Sequence, residues 1–202
     1  MNYRNNIFPA NNWFDENFFG GFLNSKLNIV QELNIQKHTI KEENISSRVL
    51  NHWYEMGIIT DDRENKKSWK KFSVSELVWI RIVLKLRNFG LDLKRIKQVK
   101  EQIHLYSDKK KNSKCPLLDF YIMVGLSSSI PIKIIVFESG QAEIVRQIDI
   151  DMANHLHLLS EDFICIDLNK LLNKMFTKKT IRADYFHYSK TNIEKEIFNS
   201  LY

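Results

Sequence analysis

Ser46, Ser47, Arg48, Asn51 and His52 stand close enough in the chain to share one side of a helix. Their chemistry suits a polyanion: hydroxyls and a guanidinium donate to phosphates, while Asn, Arg and His also reach base edges. Asn51 has the geometry for a bidentate contact to adenine, and Arg48 for guanine or phosphate. A second group follows closely. Arg63, Lys66, Lys67, Lys70 and Lys71 crowd a short stretch around Trp69. Like charges so close repel one another unless a polyanion neutralises them. The plainer alternative for both groups is a solvated polar surface, and for Trp69 a plug in the core.

The elements that would position these residues are legible from caps and spacing. Ser46 can cap a helix that turns Val49, Leu50 and Trp53 inward and stops at Gly57. Ser73-Val74-Ser75-Glu76 has the pattern of a capping box, opening a helix through Leu77, Ile80, Val83, Leu84 and Leu86 to Gly90. Asp92 caps a further helix of about 14 residues carrying Leu93, Ile96 and Val99. Between the first two helices, Thr60 to Lys71 is polar and basic and reads as a turn or hairpin. Upstream, Asn24 or Ser25 can cap a helix running through Leu33.

Three segments of this stretch resemble MerR-family DNA-binding domains. ISSRVLNHWYEMGII (45–59) resembles the recognition helix and its exit, SWKKFSVSEL (68–77) the second half of the wing and the next helix start, and LRNFGLDLKRIK (86–97) the bend between the last two helices. They occur in the family's order over residues 36–105. The resemblance implies a winged helix-turn-helix that binds double-stranded DNA. It also implies that Arg63 is the wing arginine and that Lys70 replaces a second one, with loss of a bidentate phosphate grip. QKHTIKEEN (36–44) fits the family's first helix poorly, and VQELNIQKHTIKEEN (30–44) reads as a helix-turn-helix of its own, so that boundary stays open. The chain departs from the pattern in two further places. Its helix reads Asn51-His52-Trp53-Tyr54 where the family has an Arg-aromatic-Tyr-Glu run, and the helix after Asp92 is too short for the family's antiparallel coiled coil. A homodimer must then use the C-terminal part, the terminal helix or the aromatic arm.

Charge distribution agrees with this placement. The chain of 202 residues carries a formal net charge of +6, but residues 36–114 hold 19 basic and 10 acidic residues. Residues 115–202 hold 9 basic and 11 acidic. The excess is concentrated where phosphate contact is expected.

The organisation expected is an aromatic, Asn-rich arm (1–23), the MerR-like domain (24–106), a basic linker (107–114) and a small α+β domain (115–202). In the last, Leu117–Leu126, Pro131–Glu138, Gln141–Asp151 and Phe163–Leu168 read as strands, with a Ser139-Gly140 turn. Helices follow at Asn169–Phe176 and after the capping pattern Thr191–Glu194. The fold class is α+β: a mainly helical winged helix-turn-helix, then a small antiparallel sheet with helices. Nothing in the sheet part chooses among an effector, a dimer contact and a protein partner.

Other chemistry is poorly represented. Cys115 and Cys165 are distant in sequence and suggest neither a disulfide framework nor a zinc site. His155 and His157 would lie on one side of a strand without a third ligand, and Ser127–Ser129 carries no nucleophile motif. No phosphate-loop or dinucleotide fingerprint occurs. The expectation is a non-enzymatic protein without cofactor or metal, cytoplasmic and nucleoid-associated, since no signal-peptide pattern or long apolar run is present. The function expected is a sequence-specific transcriptional regulator. An architectural, partition or recombination accessory protein, or an interaction module without DNA binding, are the alternatives.

Overall fold

A computed structural model describes residues 7–8, 29–40, 45–60, 70–108, 113–127 and 130–175. Its helical part begins with α1 (Ile29–Asn34), α2 (Ser47–Glu55), α3 (Val74–Asn88) and α4 (Leu93–Ile103). The start expected for α1 at Asn24 or Ser25 lies outside the described residues.

Each later boundary follows from local chemistry. The Ser46 hydroxyl accepts from the Val49 N–H at 3.3 Å, opening α2. At its other end Gly57 takes φ +72°, and the Ile58 and Gly57 N–H groups return to the Trp53 and Tyr54 carbonyls at 2.9 and 3.0 Å. A left-handed residue here satisfies carbonyls that the helix leaves open. The capping box of α3 is complete. Ser73 Oγ accepts from Glu76 N–H at 3.1 Å, and Ser73 N–H donates to Glu76 Oε2 at 2.8 Å. Asp92 Oδ1 accepts the Arg95 N–H at 2.8 Å to start α4.

Beyond α4, Ser107, Asp108, Ser113 and Lys114, from the charged segment read from sequence as a linker, supply paired backbone. β1 (Leu105–Asp108) runs antiparallel to β2 (Ser113–Pro116), with Leu105 opposite Pro116. β2 leads directly into α5 (Leu117–Ser127), where the sequence suggests a strand. The difference has a packing cause. Leu117, Leu118, Phe120, Tyr121, Ile122, Met123 and Val124 are all buried, so no polar side remains to mark a helical period. Close approach of a neighbour is built in at Gly125, where a Cβ would stand 2.8 Å from Leu172 Cδ1.

The sheet contains β3 (Ile132–Phe137), β4 (Ala142–Arg146) and β5 (Phe163–Asp167) in the order β4-β3-β5, antiparallel throughout. Ser139-Gly140 makes the expected turn, with Gly140 at φ +85°. The strand expected to reach Asp151 ends instead at Arg146, and Gln147–His155 forms α6. Asp149 causes the switch by accepting the Arg146 N–H at 2.8 Å and also pairing with its guanidinium at 2.7 Å. His155 and His157 therefore belong to a helix end and the turn after it, with His157 at φ 54°, not to one side of a strand. α7 (Leu168–Met175) follows β5 directly.

One face of the sheet packs Ile132, Ile134, Val136, Ile144 and Ile166 into a cluster with α5 and α7. That cluster continues without a break to Leu33, Trp53, Trp79 and Val99 of the helical part. The other face, with Ile135, Phe137 and Val145, is covered by Ile150 and Ala153 of α6 and by Ile7 and Phe8. From the arm predicted over residues 1–23, only Ile7 and Phe8 are among the described residues. The terminal helix expected after Thr191 lies outside them.

Candidate nucleic-acid interface

The site is built on α2. Trp53 is 4% exposed and Leu50 half-buried; they hold the helix against the hydrophobic core. The exit of α2 is fixed too, because the Trp79 indole N–H donates to the Ile58 carbonyl at 2.7 Å. What remains outside is Ser46, Ser47, Arg48, Asn51 and His52, all exposed and brought together on one surface. Two further side chains share it. Val49, expected inward, is 40% exposed. Glu55, not anticipated, lies 3.7 Å from His52 Nδ1. Val49 differs from expectation because the seam against the core runs through Leu50, Trp53 and Tyr54, and Val49 stands at its margin.

An open groove runs beside this face, between α2 and the bend joining α3 to α4, lined by Arg48, Asn51, His52, Leu84, Arg87 and Leu93. Arg87 is exposed and donates to the Leu91 carbonyl at 2.6 Å, so its guanidinium is oriented. The sequence reading omitted it, although it sits inside the bend motif. Cations also gather at the C-terminal end of α2. Lys100 Nζ lies 3.4 Å from the Gly57 carbonyl oxygen, and Lys97 Nζ stands 3.5 Å from where a Gly57 Cβ would be. The partial negative charge of a helix C-terminus favours them there.

Lys70 and Lys71, both expected in the wing, have opposite positions. Lys71 is exposed. Lys70 is 9% exposed, and its ammonium lies 2.9 Å from Glu76 Oε1 and donates to the Thr60 carbonyl. It also stands 5.1 Å from the Tyr54 ring centre and 5.2 Å from that of Phe72. All of its partners are internal, so the phosphate contact expected of it does not fit its placement. A backbone bridge between His38 and Phe72, with N–H···O distances of 3.0 and 2.8 Å, braces the same corner. Arg63, Lys66, Lys67 and Trp69 lie outside the described residues.

Perturbed titration lies away from the α2 face: burial, and next the charge of Lys37, lower His38 at the braced corner. Burial, and next the charge of Lys100, push His104 down to about 3. Its ring meets Trp79 edge-on at 4.7 Å. Burial raises the Asp119 carboxyl despite hydrogen bonds from Ser75 and Asn34. Among the described residues no group of three or more His, Cys, Asp or Glu side chains could hold a metal ion. No helix of the described residues is long and apolar enough to cross a membrane.

Residues 29–103 match the MerR HTH family of regulatory proteins. The matched stretch opens with α1 and closes with α4, so the MerR segment takes in the helix whose assignment the sequence left open. It contains all of the α2 face and both lysines, while the sheet and α5 to α7 fall outside it. No curated protein and no solved structure matches the chain. The MerR match suggests a DNA-binding regulator.

Proposed function

We propose that the protein is a sequence-specific DNA-binding transcriptional regulator that acts in the cytoplasm as a homodimer. The observation that carries this reading is the α2 surface: five exposed polar residues on a helix anchored from behind by Trp53 and Leu50, inside the segment matched to MerR. A helix about 10 Å across fits the major groove. Ser46, Ser47 and the N-terminal N–H groups of α2 would meet phosphate. Arg48, Asn51 and His52 would read base edges, and Val49 would offer methyl groups to thymine. Lys71, with Arg63, Lys66, Lys67 and Trp69 of the wing, would grip the backbone. Lys70 leaves that group and holds the wing's base in place. The sheet part would serve the dimer or a further ligand.

Genome-wide occupancy of the tagged protein, followed by titration of a bound fragment across a salt series, tests the reading. With about four phosphate contacts, log affinity should fall against log salt with a slope near −0.9 per contact. Affinity unchanged between low and physiological salt would reject it.

A further inference from the structure

The two edges of the sheet are treated differently. At the outer edge of β4, the Gln102 side chain of α4 stands in for a strand. Its amide donates to the Gly140 carbonyl at 3.1 Å, and its oxygen accepts the Ala142 N–H at 3.0 Å. The outer edge of β5 has no such cover: among the described residues no strand lies beyond it. The register shows which groups it presents. Phe137 N–H bonds to Gln141 on the β4 side, and Glu138 N–H bonds to Asp162 on the β5 side. Hydrogen bonding alternates along β3, so Phe163 and Cys165, opposite Phe137 and Ile135, turn their backbone N–H and C=O groups outward. Asp167, opposite Lys133, turns out its N–H alone, because its carbonyl opens α7 and its side chain caps that helix through the Lys170 N–H.

Exposed strand edges are normally blunted by proline, lysine or a bulge. Phe163–Asp167 has none of these, and its five pairs with β3 are consecutive. Phe163 is 37% exposed and Cys165 is exposed. Asp167, the one charge in the strand, is already held by Lys133 at 2.6 Å.

We infer that the β5 edge pairs antiparallel with β5 of a second copy of this chain, extending each three-stranded sheet into one of six strands. Charge complementarity favours a second copy. A twofold axis through Cys165 sets residue 163 of one chain against residue 167 of the other. The exposed Asp162 of each chain then comes alongside the first turn of the other's α7, where Lys170 is exposed. Both ends of the seam thus join an acidic and a basic side chain. At the centre the two Cys165 residues form a hydrogen-bonded pair, with Cα atoms about 5.5 Å apart. The seam is short, so association in the micromolar range is expected.

The test uses the full chain. Sedimentation velocity at about 100 μM should show dimer, and the Phe163, Cys165 and Asp167 amides should exchange more slowly as concentration rises. Cys165→Lys and Cys165→Asp each bring like charges together at the axis and should weaken self-association at least tenfold. An equimolar mixture of the two should restore dimer. Unchanged thermal melts would show that both variants fold. Undiminished association of Cys165→Lys, a mixture that stays monomeric, or a wild type monomeric at about 1 mM would overturn the inference. So would amide protection independent of concentration, which would mean that the chain covers its own edge. A monomer that still binds DNA would end the β5 pairing and leave the reading of α2 standing.

Discussion

α2 and α5 are both short helices, yet they spend their polar groups in opposite ways. α2 touches the core through Leu50, Trp53 and Tyr54 and leaves Ser47, Arg48, Asn51 and His52 to solvent. α5 is buried nearly all round, and its one carboxylate, Asp119, is enclosed with the helix. Asn34 Nδ2 donates to Asp119 Oδ2 at 2.8 Å, and Ser75 Oγ donates to the other oxygen. The same contrast separates Lys71 from Lys70 over a single residue. A charged side chain marks a binding surface only where its hydrogen-bonding capacity is left for a partner. Inside, that capacity is consumed by neighbours and returns as stability.

The contrast breaks most visibly in denaturation. Phe120→Ala in α5 removes a fully buried ring and should cost about 3–5 kcal/mol in urea unfolding, whereas Asn51→Ala in α2 should stay within about 0.5 kcal/mol. Comparable losses from both would abolish the distinction.

Asp119→Ala should cost about 2–3 kcal/mol by leaving the Ser75 hydroxyl and the Asn34 amide without their acceptor. Its pH dependence sharpens the point. Burial raises the folded-state pKa of this carboxyl, so the folded chain binds the proton before the unfolded chain does. The stability difference between wild type and variant should therefore grow as pH falls through the raised pKa, and level off below the ordinary value of about 3.8. A difference that shrinks on acidification would contradict a buried carboxyl. The buried His104, held down to about 3, acts in the opposite direction: its stability contribution falls as pH drops from about 6.5 towards its folded value.

On the α2 side, Arg48→Ala and Asn51→Ala should each reduce discrimination between target and random DNA by about 1–3 kcal/mol with folding intact. Equal losses on both DNAs would remove α2 from the base-reading role. The smallest effect on sequence discrimination is expected at the lysines. Lys71→Ala should weaken binding to every sequence alike and lower the salt slope by about one. Lys70→Ala should instead lower stability by about 1–3 kcal/mol, because the Thr60 carbonyl and Glu76 lose a buried donor. Parallel salt titrations and melts separate the two.

What could be read in advance follows the range of the interactions. Ser46, Gly57, the Ser73–Glu76 box and Asp92 set helix ends through contacts a few residues away, so the amino-acid order alone reveals them. The Ser139-Gly140 turn is local in the same way. α5 was hidden because burial on every side erases periodicity. α6 was hidden because its start depends on Asp149 reaching back to an arginine, which is not a usual cap. β1 and β2 carry the polar residues of a linker and are strands only because they pair with each other. Most of the α2 face was legible, since one narrow apolar seam leaves the rest to solvent. Val49 was misjudged by that same seam, and Lys70 because its burial depends on Glu76 and on a backbone carbonyl ten residues back.

The uninterrupted cluster from Leu33 to Leu172 also has a calorimetric meaning. Segments that share one interior cannot give up their heat of unfolding separately, so the MerR-like helices and the sheet should melt in a single peak whose calorimetric and van't Hoff enthalpies agree. A methyl group removed from Ile134 would then shift the melting of Trp53 and Trp79 as much as that of the strands around it.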